Sequence, residues 1–201
     1  IAMSLTDELT GLYNRRHFYD SIEMEMYRTK RYGHPFSIAL FDLNGFKEYN
    51  DRFGHASGDS ILQMFAKALK SSFRKTDIVC RYGGDEFSVI LPSSDDKTAK
   101  AIVERFRDRW SHICEKKAPV GAGLTGFSCG IVEFPHNSET ADGLVFLADA
   151  AMYCAKTEEE NSSVTAAEIS AISSDILRSA TRNHIYALAA TVDAKDPSTY
   201  G

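Results

Sequence analysis

The chain has 201 residues, 43% of them hydrophobic and 25% charged, and its formal net charge at pH 7 is -5. This composition is typical of a globular domain with a sizeable core, and the acidic balance argues against a nucleic acid polymer as the partner. No apolar run approaches the roughly 20 residues that cross a bilayer, and no secretory signal opens the chain. We expect a cytoplasmic domain, with membrane contact only through segments of a longer parent protein that this sequence lacks.

Hydrophobic periodicity divides the chain into alternating helices and strands. In chain order the predicted elements are a helix over 14–30, a strand over 36–41, a polar loop, a helix over 57–73, strands over 77–82 and 86–91, a helix over 102–113, a strand over 124–133 and a helix over 144–151. The Gly83-Gly84 pair between two strands is a hairpin signal. The six elements from the first strand to the last follow the β-α-β-β-α-β order of ferredoxin-like α+β folds, which predicts an antiparallel central sheet with helices on one face.

The composition changes near Glu158, where a polar stretch begins. From Ala166 to Ala190 the chain is rich in Ala and Ser, with apolar residues at helical spacing, which predicts a separate long helix that acts as a linker or coiled coil. We therefore predict one domain over residues 1–164, and a linker helix with the truncated start of a following domain over 165–201.

Four cysteines are spread along the chain at positions 80, 114, 129 and 154. None of them pairs as C-x-x-C and no histidine cluster accompanies them, which argues against a zinc ribbon or a thioredoxin-type redox site. We predict four buried free thiols in a reducing compartment.

Polar residues gather where the predicted strands end. Asp42 ends the first strand, the polar segment 50–59 follows it, and Asp85 lies in the hairpin over 81–87. The first strand and the hairpin are neighbours in the predicted sheet, so Asp42 and Asp85 are expected to face each other at its edge. Two close carboxylates repel unless a cation lies between them, and oxygen ligands select a hard ion such as magnesium.

Glycines and a lysine near these carboxylates point to a substrate with phosphates. Gly83 and Gly84 have no side chains, so backbone N–H groups there can approach phosphate oxygens, and Lys47 adds positive charge. Together with the carboxylate pair, they favour metal-assisted phosphoryl or nucleotidyl transfer.

A carboxylate is also the group that reads the N1–H and N2–H₂ edge of guanine, and either Asp59 or Asp51 could supply it.

Each of the polar residues named so far has a structural explanation as well. A Gly-Gly-Asp-Glu segment alone is usually a polar hairpin, Asp42 and Asp59 suit helix caps, and residues 50–51 suit a turn. The functional interpretation rests on their joint occurrence at compatible spacing.

The segment 81–87, RYGGDEF, resembles the signature of the GGDEF family of diguanylate cyclases. Segment 7–16, DELTGLYNRR, resembles the family's opening motif, and segments 42–59 and 148–156 resemble its middle motifs and final helix. The resemblance covers roughly residues 5–164 in order. It implies a palm-like fold similar to nucleotidyl cyclases, and the condensation of two GTP into cyclic di-GMP with release of two pyrophosphates across a homodimer.

The resemblance also implies roles for individual residues. Asp42, the carbonyl of Leu43 and Asp85 would hold Mg²⁺, for which Mn²⁺ could substitute, and Asp85 would be the base for the 3′-hydroxyl. The carboxylate at position 59 favours GTP over ATP. The residues implied in substrate binding are Asn50 and Asp59 for guanine, and Lys47, Gly83, Gly84 and Lys156 for the phosphates.

A possible regulatory site precedes the hairpin. Arg74 and Asp77 form an R-x-x-D pattern that resembles the family's inhibitory site for product, and Arg105 occupies a position that assists it. An arginine fork can grip a phosphate or a guanine edge with two hydrogen bonds. The alternative is a solvated helix end, where the helix dipole favours Arg74.

The sequence departs from the family pattern after Lys156. Glu160 stands where an arginine normally helps to bind the triphosphate, and its charge would repel that group. We therefore expect Glu160→Arg to tighten GTP binding, and weaker or unchanged affinity by calorimetry would contradict this. The tail over 184–201 resembles the entry to an HD-GYP phosphodiesterase domain.

Two other hypotheses follow from these features. One is a binding module that is weak or inactive as an enzyme, binds GTP or cyclic di-GMP and regulates an attached HD-GYP phosphodiesterase. The other is a dimerising structural domain, which gains little from so many matched polar positions. Turnover separates the cyclase from the binding module, and nucleotide binding separates the binding module from the structural domain.

Overall fold

A computed structural model describes residues 4–117, 126–158 and 161–169. The elements within these ranges are α1 (Arg15–Tyr32), β1 (Phe36–Leu43), α2 (Phe46–Phe53), α3 (His55–Ser72), β2 (Ile78–Gly83), β3 (Glu86–Pro92), α4 (Asp96–Lys117), β4 (Phe127–Phe134), α5 (Ala141–Glu158), β5 (Ser163–Thr165) and α6 (Ala166–Ile169). Across them, one five-stranded sheet has the order β2-β3-β1-β4-β5. The first four strands pair antiparallel, and β5 pairs parallel to β4. The predicted α+β fold is confirmed, with a mixed sheet rather than a wholly antiparallel one.

Helices cover both faces of this sheet. Every residue of β1 is buried, which requires a cover on each side. On one face α3 and α4 bring Phe65, Phe106 and Trp110 into the core. On the other face Phe18 of α1 and Leu144 of α5 are buried. The prediction of helices on one face only is wrong, because α1 and α5 lie outside the six-element motif on which it rested.

The polar segment after β1 contains a helix that the sequence reading treated as a loop. Residues Phe46, Tyr49 and Phe53 recur at helical spacing on α2, and Tyr49 is buried. Gly45 has φ 70° and Gly54 has φ 82°, so glycines in conformations that side chains disfavour bound this short helix at both ends. The prediction missed α2 because glycine, asparagine and aspartate dominate the segment and conceal its aromatic stripe.

The chain after α5 docks on the domain as far as the structure describes it. β5 (Ser163–Thr165) was not predicted, because a strand of three residues is too short to show a recognisable alternation of hydrophobic and polar residues. Of the helix predicted from Ala166 to Ala190, the structure describes Ala166–Ile169 as α6, where Glu168 pairs with Lys100 of α4 at 2.5 Å. Residues 170–201, with the HD-GYP-like tail, lie outside the described residues, and the domain boundary after residue 164 stays a prediction. Within the described ranges, no helix combines the length and the apolar character that crossing a membrane requires.

Candidate active site

The site lies where β1 ends beside the hairpin of β2 and β3. In the antiparallel pairing, Asp42 of β1 stands opposite Glu86 of β3. The next residue, Leu43, donates its backbone N–H to the carbonyl of Asp85 at 3.4 Å. The structure therefore brings Asp42 and Asp85 to the same end of the sheet, as the predicted topology requires.

Four carboxylates crowd this end of the sheet. Burial raises the pKa of Asp42, and the charges of Asp85 and Asp149 raise it further, while Lys156 opposes the shift. The Lys156 ammonium lies 2.7 Å from Asp42 Oδ2. Burial and the charges of Asp42, Asp149 and Asp85 likewise raise the pKa of Glu86. Sequence reasoning did not assign Asp149 to the site, although its spacing of seven residues from Lys156 places both on one face of α5.

The donor atoms at this end of the sheet fit a divalent cation. Among residues 4–117, 126–158 and 161–169, no three carboxylate, imidazole or thiol side chains form a group that could hold a metal by themselves. Magnesium is usually held by one or two carboxylates together with substrate phosphates, so two aspartates and a backbone carbonyl are a suitable donor set. A cation between Asp42 and Asp85 would also relieve the charge repulsion by Asp85 that contributes to the raised pKa of Asp42.

The side chain of Arg81 holds the Gly83-Gly84 turn in place through hydrogen bonds to its backbone. Arg81 donates from Nε and Nη2 to the carbonyl of Gly84, at 3.0 and 2.7 Å. Its Nη1 donates to both carboxylate oxygens of Asp7 at 3.2 Å. Asp7 in turn accepts hydrogen bonds from Thr10, so the opening motif of the chain holds the turn that carries Asp85. Sequence reasoning quoted both motifs without expecting them to touch.

The residues predicted to read guanine lie near the ends of α2 and α3. Asn50 Oδ1 is buried and has no hydrogen-bond partner within the described structure. A Cβ on Gly58 would lie 1.9 Å from that oxygen, so the absence of a side chain at position 58 makes room for the amide. The next residue, Asp59, is exposed, as is Lys47 in the first turn of α2. A buried acceptor without a partner is costly, and a ligand N–H is one way to satisfy it.

The helix-cap explanations for Asp42 and Asp59 and the turn explanation for residues 50–51 are wrong. Asp42 belongs to a strand and caps no helix. Residues 50–51 lie within α2 rather than in a turn. The N-cap of α3 is Gly54, which leaves Asp59 inside the helix.

Arg74 and Asp77 border a cavity of about 710 Å³ between the C-terminal end of α3 and the opening segment. The backbone N–H of Arg74 donates to Asp77 Oδ2 at 2.7 Å, which closes a tight turn. Lys70 and Lys75 also line the cavity, and sequence reasoning did not single them out. Arg105 is exposed on α4 and is not among the residues that line this cavity.

The buried Arg107 joins the chain after α5 to the central sheet. Arg107 donates from Nη1 to the carbonyl of Phe127 at 2.5 Å and to Asn161 Oδ1 at 2.8 Å, and from Nη2 to Ser163 Oγ. The same Asn161 oxygen accepts from the backbone N–H of Phe127 at 3.2 Å. Sequence reasoning missed this network. Glu160, which precedes it, lies outside the described residues.

The comparison with protein families agrees with this arrangement. The model of the diguanylate cyclase GGDEF domain matches residues 4–162. The chain belongs to the GGDEF domain family. The response regulator PleD of Caulobacter vibrioides is 36% identical over 168 residues, which are 82% of this chain and 36% of PleD. The diguanylate cyclase DgcM of Escherichia coli is 35% identical over 156 residues, 77% of this chain and 37% of DgcM. The chain thus spans little more than a third of these relatives' length.

Solved GGDEF domains share the fold. The GGDEF domain of DgcB from Caulobacter crescentus, in complex with c-di-GMP, matches with a TM-score of 0.74 and 27% identity over 83% of this chain and 98% of that one. The GGDEF domain of PA1120 from Pseudomonas aeruginosa matches with a TM-score of 0.71 and 32% identity, over 80% and 94% of the two chains. The diguanylate cyclase SiaD of the same organism, in complex with its activator SiaC, has a TM-score of 0.72 and 34% identity, over 81% and 62%.

Proposed function

We propose that this domain condenses two GTP into cyclic di-GMP and releases two pyrophosphates, with each domain of a homodimer holding one GTP. The observation that carries the proposal is the meeting of Asp42 with Asp85 and Glu86 where β1 ends and β3 begins. Relatives named diguanylate cyclases, at 35% and 36% identity, support it.

The proposed chemistry uses Asp85 as the base. Its carboxylate accepts the proton of the 3′-hydroxyl of one GTP as that oxygen attacks the α-phosphorus of the other. The bond from this phosphorus to the oxygen that leads to the β-phosphate breaks, and pyrophosphate leaves. A second, equivalent step closes the ring. Mg²⁺ or Mn²⁺, held by Asp42, the Leu43 carbonyl and Asp85, would when bound neutralise charge on the phosphate oxygens.

Guanine is the base that the side chains of Asn50 and Asp59 suit. Asp59 would accept from two N–H groups of its edge, and adenine does not offer such a pair. The unpartnered Asn50 oxygen would accept a further N–H of the ligand. We therefore propose GTP rather than ATP as the substrate, and the cytoplasm as the location of the reaction.

The triphosphate would lie against the glycine turn. Gly83 and Gly84 are exposed and leave their backbone open to phosphate oxygens, and Lys47 and Lys156 would neutralise charge. The cavity at Arg74 and Asp77 is the proposed inhibitory site for cyclic di-GMP, and Arg105 of α4, which lies outside the cavity lining, would assist by contacting the bound product. The basic side chains of Lys70 and Lys75 in its lining support binding of an anion.

The first test is turnover. The full chain at high concentration, freed of bound nucleotide, is incubated with GTP and Mg²⁺, and the products are separated by chromatography. We expect cyclic di-GMP from the wild type and none from Asp85→Ala. Because each domain supplies half of a two-substrate site, the rate per protomer should fall on dilution. A rate per protomer that is independent of dilution would contradict the homodimer.

A second candidate function rests on Glu160, whose charge is unfavourable beside a triphosphate. In that case the domain binds GTP or cyclic di-GMP and regulates an attached phosphodiesterase. Absence of product from the nucleotide-free wild type, with retained binding of either nucleotide, would overturn the cyclase proposal and favour this one. Glu160 would then be the first residue to replace by arginine.

A further inference from the structure

Lys156 is the side chain whose observed partner differs from its proposed one. As a phosphate ligand it would face the nucleotide, yet its Nζ lies 2.7 Å from Asp42 Oδ2, on a carboxylate proposed to hold the metal. The Asp42 side chain is 11% exposed and the Lys156 side chain 39% exposed. The pair therefore joins a buried anion to a cation at the rim of the site.

The charge balance explains why this pair forms. The negative charges of Asp85 and Asp149 act on both Asp42 and Glu86 and raise their pKa values. Lys156 acts in the opposite direction and lowers the pKa of both. Its ammonium thus supplies to Asp42 the neutralisation that a divalent ion between the aspartates would supply.

The two cations compete for Asp42. A magnesium or manganese ion binds a carboxylate oxygen at about 2.1 Å. An ammonium held at hydrogen-bond distance from the same oxygen would crowd that ion and repel it. Lys156 lies in the last turn of α5 on a long flexible stem, so its head can leave Asp42 without movement of the helix.

We propose that Lys156 exchanges partners during loading of the site: it pairs with Asp42 while the site is empty, and moves to a phosphate of the incoming nucleotide, which releases Asp42 for the divalent ion. Lys156 is then a positioning residue for both ligands. This inference rests on the proposed function for the identity of the ligands, but its consequence concerns binding alone. A metal or a nucleotide that arrives by itself must break the pair, whereas the second ligand to arrive finds it already broken, so the two bind cooperatively.

The test measures each ligand alone, by calorimetry on the full chain and without turnover. In the metal arm, Mn²⁺ is titrated without nucleotide, and we expect Lys156→Met to bind it at least about fivefold more tightly than the wild type. Lys67→Met is the matched control, since Lys67 is exposed on α3 and its loss changes the net charge equally. Lys156→Gln serves as a second variant if Lys156→Met does not give a cooperative melting curve.

In the nucleotide arm, the α,β-methylene analogue of GTP is titrated in the presence of a chelator. We expect Asp42→Asn to bind it at least about fivefold more tightly than the wild type, because Lys156 is then free for the phosphates. In the Lys156→Met background, Asn at position 42 should bring no such gain. A gain that persists there would show general charge repulsion and overturn the exchange.

The outcomes separate this inference from the proposed function. Unchanged or weaker binding in either single variant overturns the exchange, even if the wild type produces cyclic di-GMP. Gains in both arms support the exchange, even if the chain produces none.

Discussion

Asp7 and Arg81, which are 74 residues apart in the chain, form an ion pair in which Nη1 of the arginine donates to both carboxylate oxygens at 3.2 Å. The remaining nitrogens of the same guanidinium hold the Gly84 carbonyl. The geometry of the candidate catalytic turn is therefore tied to Asp7 in the opening motif of the chain. A change at Asp7 reaches the backbone next to Asp85 through the Arg81 side chain and the Gly84 carbonyl.

The Asp7–Arg81 pair should make stability depend on pH. Partial burial favours neutral Asp7, but hydrogen bonds from Thr10 and the charge of Arg81 outweigh it and lower the pKa of Asp7. A lowered pKa in the folded state stabilises the fold fully above the unfolded value of about 4, and the contribution is lost as the pH falls below it. We expect Asp7→Asn to lower the Tm at pH 7 by about 2–4 °C, as befits a loss of about 1 kcal/mol.

Thermal unfolding from pH 3 to pH 7 checks this prediction. The difference in Tm between wild type and Asp7→Asn should shrink toward zero at the acid end. A difference that stays constant over this range would show that the carboxylate's charge contributes nothing.

Gly58 should be required for nucleotide binding rather than for folding. A Cβ at this position would lie 1.9 Å from Asn50 Oδ1 and 2.9 Å from its Cγ, so the amide must move. The displaced atoms belong to a side chain, so the backbone can remain in place. We expect Gly58→Ala to weaken binding of a GTP analogue at least about tenfold, or about 1.4 kcal/mol, with little change in Tm.

Two comparisons sharpen the Gly58 experiment. Ser60→Ala, on the same turn of α3, is the control and should bind normally. In an Asn50→Ala background, Gly58→Ala should cost nothing further, because the displaced group is already absent. Additive losses would instead place the role of Gly58 elsewhere.

Arg107 should contribute strongly to stability. Its removal leaves the Phe127 carbonyl, Asn161 and Ser163 without their donor in a buried setting. We expect Arg107→Met to cost about 2–4 kcal/mol and to lower the Tm by about 5–15 °C. Arg105→Met, two residues away and exposed, is the matched control and should change the Tm by less than about 2 °C. Equal Tm values for Arg107→Met and Arg105→Met would show that the hydrogen bonds of Arg107 do not stabilise the fold.

The thiols should be unreactive in the folded protein. All four cysteines are buried and free, as predicted. Burial raises the pKa of Cys80 to about 12 and that of Cys114 to about 11, so few thiolates form at pH 8. We expect a disulfide reagent to label less than one thiol per native chain within an hour, and all four in the unfolded control. Rapid labelling of the native chain would show that one of them is accessible.

The sequence predicted the contacts that follow from strand topology. Once β1 and the hairpin are recognised as neighbours, Asp42 and Asp85 must meet, because strand register places the residues that end paired strands side by side. It did not predict contacts made by long side chains between distant elements. Arg107 reaches Asn161 over 54 residues, and no local pattern at either position indicates the other.

Helix α2 shows the other limit of the sequence reading. The segment around it has a loop-like composition with glycines at both ends, and the local propensities of its asparagine and aspartate oppose a helix. The burial of Tyr49 against Phe53 and the core overrides them. Packing of this kind is a property of the whole fold, so it becomes visible only when the neighbouring elements are in place.

Strand β5 has consequences for self-association. It lies along residues 129–131 of β4 and occupies backbone groups that would otherwise be open to a second chain. A shortened domain that stopped before Ser163 would retain every candidate site residue, but β4 would become an exposed edge strand of the sheet. Such a protein would associate with its own copies by strand pairing. In a sedimentation experiment that dimer would be indistinguishable from the homodimer that the proposed reaction requires.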